Sequence, residues 1–306
     1  MPRSPFDVCL VGLGPVGATL AARLGTSGVR TVVLERETAP YSLPRAAHLD
    51  GEALRILASV RVHPKGRELD GFDLVTARGG LLLRGRPIEG PPEGFPAGRL
   101  IHQPSVERAL RQRLAASPNV DVRLGAEVVG ISPEATGAAV ETTSGESVRA
   151  ALVVGCDGAW STVRDAMGVG LTGSGFEQRW LVVDTILRQR PDALGLPERL
   201  LQIAAPHRPT TYVPFADPRR RWEFRLRPGE TPEALTQPET IRRLLAPHVP
   251  PEAVEIERAA VYTFHDLVAR RWRQGRLLLA GDAAHQMPPF LGQGLGAGLR
   301  DADTLA

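Results

Sequence analysis

The chain has 306 residues, of which 42% are hydrophobic and 23% charged, and its formal net charge is +3. A chain of this size can bury a substantial core as one large domain or two modest ones. Its two cysteines, Cys9 and Cys156, are too few for a disulfide framework or a cysteine-rich metal site, and they favour the cytoplasm. Lys65 is the single lysine, and this bias toward arginine indicates a GC-rich gene rather than a nucleic-acid surface.

The apolar runs are much shorter than a membrane-spanning helix, so we expect no membrane association. The N-terminal residues MPRSPF lead directly into a strand pattern, which predicts no signal peptide. One basic cluster, formed by Arg219, Arg220 and Arg221, follows a turn signal at residues 216–218. We predict that this cluster is a solvated hairpin tip.

The first elements in chain order predict a βαβ unit. Residues 7–11 form an apolar strand pattern, residues 15–27 a helical pattern and residues 31–35 a second strand. This order implies a parallel sheet. A helix is predicted at 51–58, with Asp50 as its N-cap.

The strand pattern changes twice along the rest of the chain. Residues 72–99 hold two strand-like pieces followed by a proline-glycine loop at 89–98, and residues 177–264 hold longer, mainly antiparallel strands. The remaining predicted elements are helices at 104–116 and 238–246, and strands at 120–124, 126–131, 138–143, 147–150, 152–155 and 276–282.

These alternations predict an α/β fold with two interleaved domains. A Rossmann-like parallel-sheet domain takes residues 1–71, 100–176 and 265–306, and a mainly antiparallel β domain takes residues 72–99 and 177–264. The sequence ends in GLGAGLRDADTLA, an apparent helix without a C-cap. We therefore expect that the sequence is cut short within a helix.

Residues 12–17, GLGPVG, carry a nucleotide-binding fingerprint directly after a strand. Gly12 permits the tight turn, Gly14 lets the backbone approach a pyrophosphate, and Gly17 allows close packing of helix and strand. The helix then begins at Pro15 and presents its positive end to the phosphates.

The residues that end the second strand complete the fingerprint. Glu35 is placed to accept the ribose hydroxyls of a dinucleotide, and Arg36 follows it. The alternative interpretation of GLGPVG alone is a glycine-rich turn. The fingerprint does not decide between NAD and FAD.

Two further motifs decide the cofactor. Residues 156–164, CDGAWSTVR, resemble the DG motif of the class A flavoprotein monooxygenases, the p-hydroxybenzoate hydroxylase-like family. Residues 281–294, GDAAHQMPPFLGQG, resemble the GD motif of that family, and their glycines and prolines suit a backbone that approaches a flat ligand. The resemblance covers essentially the whole chain. Four stretches look most similar to 3-(3-hydroxyphenyl)propionate hydroxylases, namely residues 44–55, 219–231, 260–264 and 288–294.

The resemblance implies an FAD site in the parallel-sheet domain. Asp282 resembles the carboxylate that binds the flavin ribityl chain, and Pro289 a residue beside the isoalloxazine. Residues 292–295 resemble the loop that faces the flavin N1 and O2 edge, where a helix beginning near Gly294 would place its positive end. The implied cofactor-binding residues are Gly12, Gly14, Pro15, Gly17, Glu35, Arg36, Arg45, Gln103, Asp157, Gly281, Asp282, Gly292, Gly294 and Leu295, with Arg164 as a further residue of the DG motif.

Several of these assignments keep an alternative. Arg45 is otherwise a surface arginine and Gln103 an ordinary residue at a helix N-terminus. Gly296 stands where much of the family has asparagine, which removes a possible contact to the flavin.

The resemblance also implies a reaction. NAD(P)H gives a hydride to the flavin, O2 adds to form a C4a-hydroperoxide, and one oxygen atom is transferred to a phenolic compound. His285 and Pro289 are the candidates nearest the reaction, and His285 is either a general base or a buried structural histidine. We predict no metal site.

The substrate is expected over the flavin, against the antiparallel β domain. The candidate substrate residues are Tyr212, Phe224, Arg225 and His265, with Phe215 and Trp222 as further aromatic side chains. Strand alternation allows only some of these to face the site, and any of the rings is otherwise plain core.

Two other functions stay open. One is a flavin oxidoreductase of the same fold that inserts no oxygen, and the other is a non-catalytic FAD-binding fragment. The expected partners are a small aromatic substrate and O2, with homo-oligomer formation and the choice between NADH and NADPH left open.

Overall fold

The computed structural model describes residues 6–42, 45–87, 94–215 and 218–306. The strands are β1 (Phe6–Val11), β2 (Thr31–Glu35), β3 (His48–Asp50), β4 (Gly66–Glu68), β5 (Phe72–Thr76), β6 (Leu81–Gly85), β7 (Gly98–Ile101), β8 (Val120–Leu124), β9 (Val128–Glu134), β10 (Gly137–Thr142), β11 (Ser147–Gly155), β12 (Leu171–Leu187), β13 (Leu200–Ala204), β14 (Thr210–Val213), β15 (Arg219–Arg225), β16 (Val254–Ala269), β17 (Arg273–Gln274), β18 (Leu277–Leu279) and β19 (His285–Gln286). The helices are α1 (Pro15–Thr26), α2 (Gly51–Ser59), α3 (Gln103–Ala115), α4 (Thr162–Ala166), α5 (Pro232–Leu235), α6 (Pro238–Leu245) and α7 (Gln293–Leu305), with 3-10 turns at Pro251–Ala253, Gly281–Ala283 and Pro289–Leu291.

The first sheet contains the predicted parallel strands. Its order is β17-β18-β11-β1-β2-β8, and the pairs from β18 to β8 are parallel. β10 and β9 extend it by antiparallel pairing from β11. Helices α1, α2 and α3 share a core with one face, around Leu10, Leu20 and Leu57. A second core that includes Val32 and Val153 lies on the other face. Because the central strands are buried on both faces, they read as continuous apolar runs.

The second sheet is the predicted antiparallel one, with the order β19-β16-β12-β15-β14-β13-β5-β6. Only the β13–β5 pair among its described strands is parallel. Helices α5 and α6 cover one of its faces, and the core between them includes Leu181, Trp222, Phe224 and Leu245. A small third sheet has the order β3-β7-β4.

Most predicted elements are confirmed to within a few residues. Asp50 caps α2 as expected, because its Oδ1 accepts a hydrogen bond from Ala53 N at 2.8 Å. The strands predicted at 147–150 and 152–155 are one strand, β11. The third sheet was not predicted, since its strands are only three or four residues long.

Two predictions lie partly outside the described residues. Residues 89–93 of the proline-glycine loop predicted at 89–98, and residues 216–217 of the turn signal at 216–218, lie outside the described residues. The residue boundaries of the two domains stay a prediction. The strands predicted as parallel and those predicted as mainly antiparallel do form separate sheets.

The prediction of a solvated hairpin tip at the arginine cluster is wrong. Arg219, Arg220 and Arg221 begin β15, and the side chains of Arg220 and Arg221 are buried. Arg221 pairs with Asp184 on β12, at 2.7 Å between Nε and Oδ1. Arg219 pairs with Glu257 on β16. Both carboxylates are far away in the sequence, so a run of charges alone does not reveal them.

Candidate functional site

The three glycine-containing motifs meet at the carboxyl ends of β1, β11 and β18. These strands are neighbours in the parallel sheet, and the loop after each carries one motif. Ligands of open α/β sheets bind at this edge. Arg164 links two of the motifs, because its guanidinium donates to the carbonyl oxygens of Ala159 at 2.8 Å and Ala283 at 3.1 Å. The predicted FAD-binding loops are therefore adjacent in space.

Several glycines of these loops allow close packing within the protein. Gly12 has a φ of +99°, and a Cβ there would overlap the Cys156 carbonyl. A Cβ on Gly17 would overlap the carbonyl oxygen of Gly12, and one on Gly298 would press on Val16. Loop and helix residues are thus held at backbone contact distance, as the fingerprint predicts.

Two other glycines face open space instead. Apart from chain neighbours and the helix backbone, no described residue places an atom within 4 Å of the point that a Cβ on Gly14 or on Gly294 would occupy. Gly14 is the N-cap of α1, with Pro15 as the first helical residue, and Gly294 lies in the first turn of α7. Each open glycine therefore lies beside the positive end of a helix, where an anionic group is stabilised.

Glu35 lies under the glycine turn. Its Oε2 accepts a hydrogen bond from Leu13 N at 2.6 Å, and its Oε1 accepts one from Glu37 N at 2.8 Å. Each oxygen keeps a second lone pair, so the carboxylate can still accept a ribose hydroxyl. The side chain of Arg36 is 66% exposed, and its Nε lies 3.4 Å from Oε1 of Glu37. Its predicted contact with the cofactor stays a prediction.

Asp157 has a structural role in the DG loop. Its Oδ2 accepts a hydrogen bond from Val163 N at 3.2 Å, at the start of α4, while Oδ1 is buried without a partner among the described residues. Burial raises the pKa of this carboxyl above its usual range. A contact between Asp157 and the cofactor stays a prediction.

Asp282 is an exposed acceptor in the GD loop. Desolvation by the surrounding protein raises the pKa of its carboxyl, and the charges of His285 and Arg45 oppose that rise. No described residue donates a hydrogen bond to the carboxylate. The carboxylate is therefore free to accept hydrogen bonds from a polyol chain.

His285 is buried and connects the GD loop to α7. Its Nε2 lies 2.7 Å from Oδ2 of Asp301, and the same oxygen accepts a hydrogen bond from Gly281 N at 2.8 Å. The ring of Trp272 lies against the imidazole, with 5.3 Å between the ring centroids. These contacts favour the structural interpretation of His285 over a general base.

Arg45 and Gln103 lie on the same side of the site. The Arg45 guanidinium is exposed and lies 4.7 Å from the Tyr41 ring centroid. Gln103 is buried, and both ends of its amide have a partner: Oε1 accepts from Ala46 N at 2.6 Å and Nε2 donates to Glu107 at 2.7 Å. Gln103 therefore positions the segment that carries Arg45, and its own predicted contact with FAD stays a prediction.

The GD loop also contacts the second sheet, through Phe290. Its ring lies 5.3 Å from that of Trp180 and 5.9 Å from that of Phe176. Its carbonyl oxygen accepts a hydrogen bond from Gln202 Nε2 at 3.4 Å. Pro289, which precedes Phe290, begins a 3-10 turn at this junction, and Gly292 follows in the left-handed conformation with φ of +65°. The predicted flavin loop and the predicted substrate sheet thus meet here.

The aromatic substrate candidates are core residues. Tyr212 and Phe224, like Trp222, belong to the core under α5 and α6, and the Tyr212 hydroxyl donates to the Pro197 carbonyl at 3.0 Å. The assignment of Tyr212 and Phe224 as substrate surface is therefore corrected. Alternation along β15 turns residues 222 and 224 toward the helices, and residues 221, 223 and 225 toward the Phe290 side.

The other two substrate candidates have different positions. Arg225 is exposed on the Phe290 side and lies opposite Trp180 in the strand register. His265 lies opposite Glu177, with 3.9 Å between Nδ1 and Oε2, and its side chain is 32% exposed. Phe215, also predicted as aromatic surface, is buried under the Arg221 guanidinium, which lies 5.2 Å from the ring centroid.

A buried charged cluster on this face was missed from the sequence. Asp184 accepts from Arg221, with Nε–Oδ1 at 2.7 Å, and lies 2.8 Å from Nη2 of Arg258. Arg221 also donates to the Arg45 carbonyl at 2.7 Å, and Arg258 to the Tyr262 hydroxyl at 3.0 Å. Alternate charged residues in a buried strand were the available signal, but their partners come from other strands.

The residues present fit FAD. The open glycines at two helix N-termini suit a pyrophosphate and an anionic ring edge, and the free Asp282 carboxylate suits the ribityl hydroxyls. Fold and site together define a nucleotide-binding α/β protein of the flavoprotein class. Comparison with known families is then specific: residues 5–306 match the FAD binding domain family, to which this chain belongs.

Curated relatives are similar over nearly the whole chain. A probable NADH-specific resorcinol 4-hydroxylase of Rhodococcus jostii (strain RHA1) is 38% identical over 99% of this chain. A 3-(3-hydroxy-phenyl)propionate/3-hydroxycinnamic acid hydroxylase of Mycobacterium sp. (strain JLS) is 39% identical over 98% of it. The chain spans only 58% and 53% of the lengths of these two relatives.

Solved structures share the fold. The p-nitrophenol 4-monooxygenase of Pseudomonas putida DLL-E4 aligns with a TM-score of 0.84 and 27% identity, over 99% of this chain and 79% of that one. Aklavinone-11 hydroxylase, solved with FAD and aklavinone, aligns with a TM-score of 0.84 and 24% identity, over 100% of this chain and 62% of that one. Within the part of the chain that the structure describes, no helix has the length and apolar character needed to cross a membrane.

Proposed function

We propose that the protein of which this chain is a part is an FAD-dependent aromatic hydroxylase, which uses NADH or NADPH and O2 to hydroxylate a phenolic compound. The single observation that carries the proposal is the junction at Phe290, where the FAD loop contacts the second sheet. A flat aromatic substrate can be held there between the cofactor and the sheet. The hydroxylase relatives support this reaction class.

The site residues have distinct proposed tasks. Gly14 and the start of α1 bind the pyrophosphate, Glu35 the ribose and Asp282 the ribityl chain. Gly294 and the start of α7 face the electron-rich edge of the flavin ring, where the helix end stabilises negative charge. Bound FAD would supply hydride acceptance and oxygen activation, while the protein orients the groups and excludes water.

A second group of residues holds these in place. Asp301 fixes His285 and Gly281, so it holds the GD loop against α7. Arg164 performs the same task between the DG and GD loops. We infer that both residues position the loops and do not take part in the reaction.

We also propose a cytoplasmic location. The two cysteines are unpaired, which is compatible with that location.

Product analysis tests this function. The FAD-loaded protein is incubated with NADH or NADPH, labelled O2 and a panel of phenols that includes resorcinol. The proposal predicts a product that carries one labelled oxygen atom, together with phenol-stimulated oxidation of the nicotinamide. Stimulated oxidation that yields only hydrogen peroxide or reduced flavin, without a labelled product, would favour an oxidoreductase that inserts no oxygen.

The same assay addresses the non-catalytic alternative. FAD binding without any nicotinamide oxidation, by this chain and by a longer form of the protein alike, would contradict the hydroxylase proposal. Activity in the longer form alone would support the hydroxylase and locate a required part outside these residues.

A further inference from the structure

Glu223 is a carboxylate near the centre of the Phe290 side of the second sheet. In the strand register it lies between Thr211 on β14 and Val182 on β12. Gln202 continues the same row on β13, and its Oε1 accepts a hydrogen bond from Thr211 at 3.0 Å. Because Gln202 also contacts Phe290, this polar row runs to the junction with the FAD loop.

The Glu223 carboxylate has no donor of its own. Its side chain keeps only 11% of its surface accessible, and its nearest cation is Arg221, with Nη1 3.9 Å from Oε1. No described residue donates a hydrogen bond to it. The carboxylate is therefore free to accept a hydrogen bond from a group that approaches this face, and a ligand that covered it without supplying a donor would leave it unsatisfied at a cost in free energy.

The neighbouring arginines are already engaged. Arg221 binds Asp184 and the Arg45 carbonyl, and Arg258 binds Asp184 and the Tyr262 hydroxyl. Each guanidinium is therefore already paired with the Asp184 carboxylate, and the Nε of Arg258, which has no partner among the described residues, is buried. Glu223 itself would repel a carboxylate of a substrate. The row favours a group that donates a hydrogen bond and carries no negative charge.

We propose that Glu223 accepts a hydrogen bond from a ring hydroxyl of the substrate, and that it selects uncharged, hydroxylated rings such as diphenols. This inference rests on the proposed function, since it requires an aromatic ring between the sheet and the FAD loop. It makes Glu223 a specificity-determining residue of that site.

Glu223 also gives substrate binding a defined pH dependence. Burial raises the pKa of its carboxyl, Asp184 raises it further, and Arg221 and Arg258 oppose the rise. Among the described residues, the other neighbours of Glu223 on this face are Arg225, the Tyr262 hydroxyl and uncharged polar or apolar side chains. A protonated carboxyl is a poorer acceptor. Affinity for a diphenol should therefore fall as the pH falls through the raised pKa, while a phenol hydroxyl does not titrate there.

The test compares two ligands in the FAD-loaded protein. Dissociation constants for resorcinol and for 1,3-dimethoxybenzene, which lacks donors, are measured from the change in flavin absorbance. We expect Glu223→Gln to weaken resorcinol binding about tenfold and to leave the dimethoxy ligand unchanged to within about twofold. Glu255→Gln, an exposed glutamate on β16 of the same sheet, is the control and should match the parent protein for both ligands.

Three results overturn the inference in distinguishable ways. Unchanged resorcinol binding in Glu223→Gln, or an equal loss for both ligands, contradicts the role of Glu223 alone. Absence of binding of any phenol to the parent protein contradicts the proposed function and this inference with it. If Glu223→Gln does not load FAD, the pH series on the parent protein decides: affinity for resorcinol that does not fall toward acidic pH contradicts the role.

Discussion

At the scale of single residues, the alternation of side chains along a strand decides which of them reach the site. Their aromatic rings make Trp222 and Phe224 of β15 candidates for the substrate surface, but both face the helices, whereas Glu223 lies on the Phe290 side of the sheet. The alternation itself is visible in the sequence. Which of its two faces is covered by α5 and α6 depends on contacts with residues far away in the chain, so it was not predictable.

The buried charge cluster gives a prediction at this scale. Asp184 is the shared acceptor of Arg221 and Arg258, and its side chain is 3% exposed. Asp184→Asn removes the charge that both guanidiniums need, and we expect it to lower the free energy of unfolding by about 3 kcal/mol.

Chemical denaturation measures this loss, with Asp192→Asn as the control. Asp192 pairs with Arg190 in an exposed loop, and its substitution should leave stability unchanged because surface pairs contribute little. Equal unfolding free energies for Asp184→Asn and the parent protein would show that the cluster is not structurally important.

At the scale of elements, the fingerprint was predictable because its physics is local. A strand, a glycine turn and a helix with Pro15 at its start follow one another directly, and the structure has them as predicted. The short strands β3, β4 and β7 were not predictable, because their pairing partners come from separate parts of the chain. Similarly, the sequence did not show that the Gln103 amide forms hydrogen bonds with Ala46 N and with the Glu107 carboxylate.

Two glycines of α1 and its turn give a matched pair of variants. A Cβ at Gly17 overlaps the Gly12 carbonyl, so Gly17→Ala should lower the free energy of unfolding by about 1–3 kcal/mol. Gly14 has a φ of −65° and open space in front of it. Gly14→Ala should therefore fold normally but weaken FAD binding about tenfold, because the methyl group takes the space of the pyrophosphate.

Thermal unfolding of the FAD-free proteins and FAD titration separate the two effects. A Gly14→Ala protein that binds FAD as tightly as the parent would contradict the assignment of the open space. A Gly17→Ala protein with full stability would contradict the close packing.

At the scale of the whole molecule, two sheets of different construction meet at one loop. The parallel sheet brings three motifs to one edge, and residues 281–294 extend from that edge to Trp180 and Gln202 on the second sheet. The division into parallel and mainly antiparallel strands could be predicted from the sequence. The contact through Phe290 was not, because nothing in the pattern of either sheet specifies how they are joined.

The central claim is that these loops form one FAD site in which Asp282 binds the cofactor. Its most direct measurement is the FAD occupancy, by visible absorbance after saturation with FAD and gel filtration, of the parent protein, Asp282→Ala and Asp192→Ala. We predict one FAD for each parent and Asp192→Ala chain, and little or no FAD in a folded Asp282→Ala protein, since its carboxylate has no structural partner among the described residues. Full FAD occupancy in Asp282→Ala, with normal thermal unfolding, would contradict the account.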